Sequence, residues 1–299
     1  MKRTLTRHFV ASLIAFLPCT MALAQTSPDA APATQATPAV NLDKALKGEN
    51  TWYASFGLSR QQYANTDIHV SQPGEGNDFT LHNVAGSDQP GSNQEIFDSL
   101  SSLGLTGPQY NFRVGKYMNP EKTFAIEFSV DHSKYNVDFG QTVVATGTQG
   151  NAPITPNMTI TPQNFDYALH NGLNHIMLNA VWLRHLAGPE KAPGDLQLIS
   201  RVGAGILLPH ADAILFGKAN GVGPKSENIC CFNKNDWWQL NGWTAGVEVG
   251  LRFTVYKSVF LELTSKWAYG ELKGVPVYQG SADHKVVMTE QVLTTGFEF

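Results

Sequence analysis

Residues 243–266 read WTAGVEVGLRFTVYKSVFLELTSK, and this stretch decides the fold. Side chains along a strand point alternately to opposite faces, so positions two apart share a surface. Trp243, Ala245, Val247, Val249, Leu251 and Phe253 fall on one face, against Thr244, Gly246, Glu248 and Arg252. Tyr256-Lys257-Ser258 makes a short turn. Val259, Leu261 and Leu263 then alternate with Phe260, Glu262, Thr264 and Lys266. One face of this hairpin is continuously apolar and the other carries small and charged residues. That pattern suits a strand pair with lipid outside and a packed polar lumen inside.

Working outward, the same alternation recurs. Trp52 to Tyr63 sets Trp52, Ala54, Phe56 and Leu58 against Tyr53, Ser55, Gly57 and Ser59. Gln109 to Met118 is a second strand, and Asn119-Pro120-Glu121-Lys122 turns the chain into a third, with Phe124, Ile126, Phe128 and Val130 on one face. Leu169 to Leu186, Leu196 to His210, and Lys285 to the terminal Phe299 complete a set of eight with the quoted pair. The connections after strands two and six are tight, and Ala187 to Asp195 is moderate. Those at Ala64 to Pro108, Asp138 to Ala168, Ala211 to Leu240 and Glu271 to His284 are long. An even strand count with short turns at one end and long loops at the other is the outer-membrane pattern. The terminal Phe297-Glu298-Phe299 resembles the signal read by the barrel-assembly machinery. The fold class expected is all-β: an eight-stranded antiparallel transmembrane barrel with long extracellular loops, located in the cell outer membrane.

The amino terminus reads as a secretory signal over residues 1–24. Lys2, Arg3 and Arg7 precede the apolar run Phe9 to Leu17, and Ala22-Leu23-Ala24 is a small-x-small cleavage site. Pro18 before Cys19 spoils a lipoprotein box. Residues 25–50, rich in Pro, Ala and Thr, are expected to form a disordered periplasmic segment, which leaves 51–299 for the barrel. After the signal no run of about 18 apolar residues occurs, so no transmembrane helix is expected. The net charge of -4 and the absence of a basic patch speak against nucleic acid. Cys230 and Cys231 are adjacent, and the sequence assigns them no role.

The inward set includes Arg113, Glu127, Asp131, Arg201, Glu248, Arg252, Glu262, Lys266 and Glu290. In a barrel of eight strands these charges pair and fill the lumen, which disfavours a transport channel. Asp67 to Val70, Asp78 to Val84 and Thr142 to Thr148 are expected to extend the barrel above the membrane.

Three histidines lie near the external ends of strands: His132, His170 and His210. By parity each belongs to the outward set, and pairing Leu186 near Leu196 brings His210 opposite Gly172, beside His170. Imidazoles with a carboxylate such as Asp212 suit a divalent transition metal: zinc, iron or copper. His132, His170, His210 and Asp212 are therefore the candidate metal ligands, facing outer-membrane lipids and lipopolysaccharide. An interfacial role for the histidine rings, with no metal, is the alternative. His132 and Ser133 are adjacent and point oppositely, and no His-x-Ser pair lies on a strand, which argues against a serine deacylase.

On these residues a resemblance rests. Tyr110 to Phe299 resembles a family of small, OmpA-like outer-membrane barrels that includes lipid A oxidases. The matching stretches are Asp131-His132-Ser133-Lys134-Tyr135, His170-Asn171-Gly172-Leu173-Asn174 with Leu178-Asn179-Ala180, and Val202-Gly203-Ala204-Gly205 with Pro209-His210. The family pattern has an acidic residue two places after Pro-His, here Asp212. Many members have histidine directly before glycine, whereas Asn171 intervenes here. The resemblance implies an oxygen-dependent oxidation of the proximal glucosamine of lipid A to an aminogluconate unit. It carries over no catalytic residues. A non-enzymatic structural or adhesion-type surface barrel remains the alternative.

Overall fold

A computed structural model describes residues 51–89, 109–220, 229–233 and 236–299. The signal segment, Cys19 and the Pro/Ala-rich lead-in lie outside the described residues. Eight long strands form the wall: β1 (Trp52–Tyr63), β4 (Tyr110–Tyr117), β5 (Phe124–Val137), β7 (Phe165–Ala187), β8 (Leu196–Pro209), β10 (Gly242–Tyr256), β11 (Val259–Val277) and β12 (Gly280–Glu298). Four shorter strands, β2 (Thr66–Gln72), β3 (Asn77–Val84), β6 (Thr142–Gln149) and β9 (Asp212–Leu215), lie in the external connections. Every wall strand is antiparallel to its neighbours, and β1 closes the ring on β12. No described helix is long and apolar enough to cross a membrane; strands make the crossing.

The pairing also fixes the tilt. One continuous row of partners runs Thr294, Gly57, Asn111, Asp131, His175, Leu207, Gly242, Leu272 and His284. It leaves β12 at Thr294 and returns to the same strand ten residues higher, at His284. A shear of that size over eight strands tilts them by about 40°. Each step around the ring therefore climbs roughly 1.25 residues, or about 3 Å along the axis.

With that slope the outward apolar residues form one level belt. Trp52, Phe124, Phe253 and Phe297 mark its lower rim, and Trp243 and Tyr269 its upper one. Leu178, Val202, Val247, Leu263 and Leu293 lie between, largely exposed. The belt is roughly 25 Å tall, as a bilayer requires. Inside it Arg201 contacts Glu127, Glu248 and Glu262 at 2.8–3.2 Å. Arg113, Arg252 and Lys266 join Glu248, Glu262 and Asp131. The lumen is plugged by its own charges.

Above the belt the interior changes character. Ile68, Phe79, Leu81, Tyr135, Tyr167, Leu207, Leu272 and Val286 form an apolar core. Around it β2, β3 and β6 continue the sheet outward from β12. The external extensions expected in the first two loops are present. The connection expected at Glu271 to His284 is corrected: β11 and β12 stay paired to a tight hairpin at Val277 and Gly280. Leu272, Val275 and Ala282 face the upper core, and their burial keeps both strands extended.

Candidate polar cluster on the outer wall

Leu169 pairs with Tyr135 and Leu173 with Ser133, so His170, Asn171 and Gly172 face the single residue Lys134. A bulge of this kind re-aims the side chains it carries. Gly172 makes it possible: its φ of +127° is unfavourable for other residues, and a Cβ there would meet the Asn174 side chain at 2.5 Å. The extra residue of the His-Asn-Gly sequence is absorbed here. Opposite the bulge, the His210 N–H donates to the Gly172 carbonyl at 2.8 Å.

The result brings three of the four candidate residues together. His170 Nε2 lies 3.1 Å and His210 Nε2 3.4 Å from Asp212 Oδ2. Asn171 Nδ2 donates to the same oxygen at 3.0 Å. The His210 side chain is 2% exposed, whereas those of His170 and Asp212 are each 46% exposed. Burial works to raise the pKa of Asp212, but the hydrogen bond and charge of His210, with His170 and Asn171, hold it below the usual carboxylate value.

Trp237 completes the arrangement. Its ring stacks on His210 at 3.9 Å, and its carbonyl lies 2.6 Å from His210 Nδ1. A carbonyl can only accept, so Nδ1 carries the proton. Nε2 of a neutral ring would then turn its lone pair toward the Asp212 carboxylate. Trp238 Nε1 donates to the Asn171 carbonyl at 3.1 Å and ties the same loop to the bulge. Sequence reasoning missed Asn171 and Trp237; the doubled Trp237-Trp238 in a polar loop was the available signal.

His132 is held elsewhere. Asn174 Nδ2 donates to the Leu208 carbonyl, so Asn174 Oδ1 accepts from His132 Nδ1 at 2.7 Å. The His132 ring stacks on Tyr110 at 4.9 Å. The reason is the tilt: β5 stands two steps before β8 in the rising row, which leaves His132 roughly 10 Å below His210 along the axis. His132 belongs to the aromatic rim of the belt, while the cluster sits on the order of 8 Å above that rim, at headgroup height.

The donor types suit a metal: two imidazoles and a carboxylate, with His210 oriented by a backbone carbonyl. Each 3.1–3.4 Å separation also matches that of two ligands about 2 Å from one ion. As they stand, however, both rings aim at one oxygen. Among the described residues no three His, Cys, Asp or Glu side chains are grouped to hold a metal ion. The four-ligand expectation is corrected to a cluster of three, closed on itself.

No family model matches the chain, and no curated protein matches it. Solved structures give loose likenesses. The outer-membrane protein OprG of Pseudomonas aeruginosa is 10% identical with a TM-score of 0.41, covering 84% of this chain and 97% of that one. AlkL is 15% identical at 0.35, covering 91% and 97%. Ail of Yersinia pestis is 11% identical at 0.33, covering 84% and 100%. The fold stands on the chain's own strand pairing: a closed antiparallel ring with an apolar belt outside and paired charges inside is an integral outer-membrane β-barrel.

Proposed function

We propose that this barrel modifies lipid A at the outer leaflet, with His170, His210 and Asp212 as its working group. One observation carries the reading. At headgroup height two imidazoles, His170 and His210, converge on one oxygen of Asp212 at 3.1 and 3.4 Å. The resemblance to lipid A oxidases selects the reaction. Where the anomeric carbon of the proximal glucosamine carries no phosphate, its hemiacetal gives two hydrogens to molecular oxygen, leaving hydrogen peroxide and a lactone. Water opens the lactone to the aminogluconate, a net gain of one oxygen atom.

A divalent transition metal would require His170 and His210 to turn from their shared Asp212 oxygen onto the ion, and it would then supply the electron-transfer route that reaction with oxygen needs. The chain's own part is to orient and to hold charge. Trp237 fixes the His210 tautomer, Asn171 steadies the carboxylate, and the half-exposed His170 and Asp212 present themselves to the headgroup layer.

The test is mass spectrometry of lipid A from aerated cells expressing the wild type, His210→Ala or Asp212→Asn, with metal content measured on each purified protein. The expected result is one added oxygen atom with the wild type only, and bound metal lost with the activity. A wild type that is active but free of metal would show that the cluster works without an ion. Unchanged lipid A, with the barrel correctly inserted, would favour the second reading, a non-enzymatic surface barrel. The apolar-cored extension above the membrane suits that role.

A further inference from the structure

The chamber above the charged lumen is not wholly apolar. Tyr135 on β5, Tyr167 on β7 and His284 on β12 lie inside it, 1%, 0% and 5% exposed. Their rings meet: Tyr135 and Tyr167 pack on His284 with centroids 5.3 and 5.5 Å away. Yet the two hydroxyls and His284 Nε2 are buried and, among the described residues, form no hydrogen bond. The surrounding core of Ile68, Leu81, Leu169 and Leu272 offers none. A buried polar atom left dry has lost its water with nothing in return, and such atoms are almost always paired, to protein or to ordered water.

The surroundings place the protons on all three groups. His284 Nδ1 lies 3.3 Å from the Lys285 carbonyl, which can only accept, so Nδ1 carries the ring proton and Nε2 presents a lone pair. Burial lowers the pKa of the ring and raises those of both phenols, so all three stay neutral. The chamber therefore offers two O–H donors and one acceptor nitrogen, on three different strands. Gly86 closes the side behind Tyr135: a Cβ there would meet the ring at 2.3 Å.

We infer that Tyr135, Tyr167 and His284 together bind one internal water molecule. Water accepts two hydrogen bonds and donates two. It takes one from each phenol and gives one to His284 Nε2, and three bonds are the usual number for a buried water. An anion would accept from the phenols but leave Nε2 facing a second acceptor. A metal ion would suit Nε2 but needs the phenols to give up protons that burial holds. The bridge reaches the outer wall as well. Tyr135 pairs with Leu169, the last pair before the bulge at His170, and Ala168 beside Tyr167 pairs with Asp212. The water thus ties these strands to β12 from behind the wall on which the His–Asp cluster stands. The site holds whether or not that cluster is catalytic.

The experiment compares the full-length protein in lipid nanodiscs with Tyr135→Phe, Tyr167→Phe and the double variant, insertion being checked by heat-modifiable gel mobility. Hydrogen exchange reads the local opening of β2, β3 and the upper part of β12. Each single variant is expected to raise the opening equilibrium constant about fivefold, because the water loses a partner. The double variant should fall short of the product of the two single effects, since both act on one molecule. Cross-relaxation from a long-lived water to the His284 Hε1 proton, expected in the wild type, needs no variant; its absence there would overturn the inference. Slower or unchanged opening in either single variant would reveal a dry hydroxyl whose removal relieves the core, and would also overturn it. Fully multiplicative effects would assign the hydroxyls to separate partners, against the inference. A metal ion retained by the purified wild type and lost in the double variant would give the three groups to the metal instead.

Discussion

Two halves of one barrel have opposite interiors. Within the belt, the lumen holds Arg113, Glu127, Arg201, Glu248, Arg252 and Glu262, all at most 5% exposed. Above it the same strands enclose Phe79, Leu81, Leu207, Leu272 and Val286. The change is visible along single strands without any change of parity. On β11 the inward series runs Glu262, Thr264, Lys266, then Ala268 and Leu272, while the outward series runs Leu261, Leu263, then Glu271 and Lys273. Where lipid lies outside, apolar side chains cover the wall and polar ones must satisfy each other within. Where water lies outside, the usual hydrophobic arrangement returns. The lesson is that the surroundings, not the strand pattern, decide which face is the core.

The comparison breaks first at its most charged point. Arg201→Ala leaves Glu127, Glu248 and Glu262 without their shared cation and is expected to destabilise the refolded barrel by about 3–5 kcal/mol. Urea titration in lipid vesicles measures it, and a loss below 1 kcal/mol would mean that water or the other arginines cover the gap. Leu272→Ala, in the upper core, should cost about 2–5 kcal/mol. The loss should be confined to the extension: hydrogen exchange is expected to quicken in β2 and β3 and to stay slow in the belt. Uniform quickening would show the two halves to be one cooperative unit.

Acidity sharpens the same contrast. His284 sits in the upper core between Tyr135 and Tyr167, and burial depresses its pKa from 6.5 to about 4. A histidine kept neutral in the fold contributes stability that is fully present above 6.5. That contribution is lost progressively as pH falls toward 4, at most about 3 kcal/mol. His284→Gln should flatten the stability of the extension over that window; an unchanged pH profile would place the acid sensitivity elsewhere. The smallest effect belongs to the exposed exterior. His69 and Asp78 pair at 2.8 Å in water, and His69→Ala is expected to cost less than about 1 kcal/mol. A larger loss would show that the outer face of the extension contributes more than its solvation allows.

Much of this was legible in the residues. Alternation in 243–266 and its counterparts gave the strands, because period-two patterning is local and survives without neighbours. The charged inward set was equally readable. Glu271 and Lys273 read as loop residues in the sequence, yet above the membrane they are the solvent face of a continuing strand. His170, His210 and Asp212 are nameable from spacing; how far His132 stands below them is set by closure of the ring.

The sequence by itself determined the strand count, the sidedness of each strand and the chemistry available at its ends, since these follow from side-chain alternation and turn composition. Tertiary structure alone decided the ten-residue shear, and with it which side chains share a height. Shear is a property of closure around the whole ring, summed over eight pairings, and no single strand carries it. The same closure lifts His210 and Asp212 above the belt and leaves His132 within it.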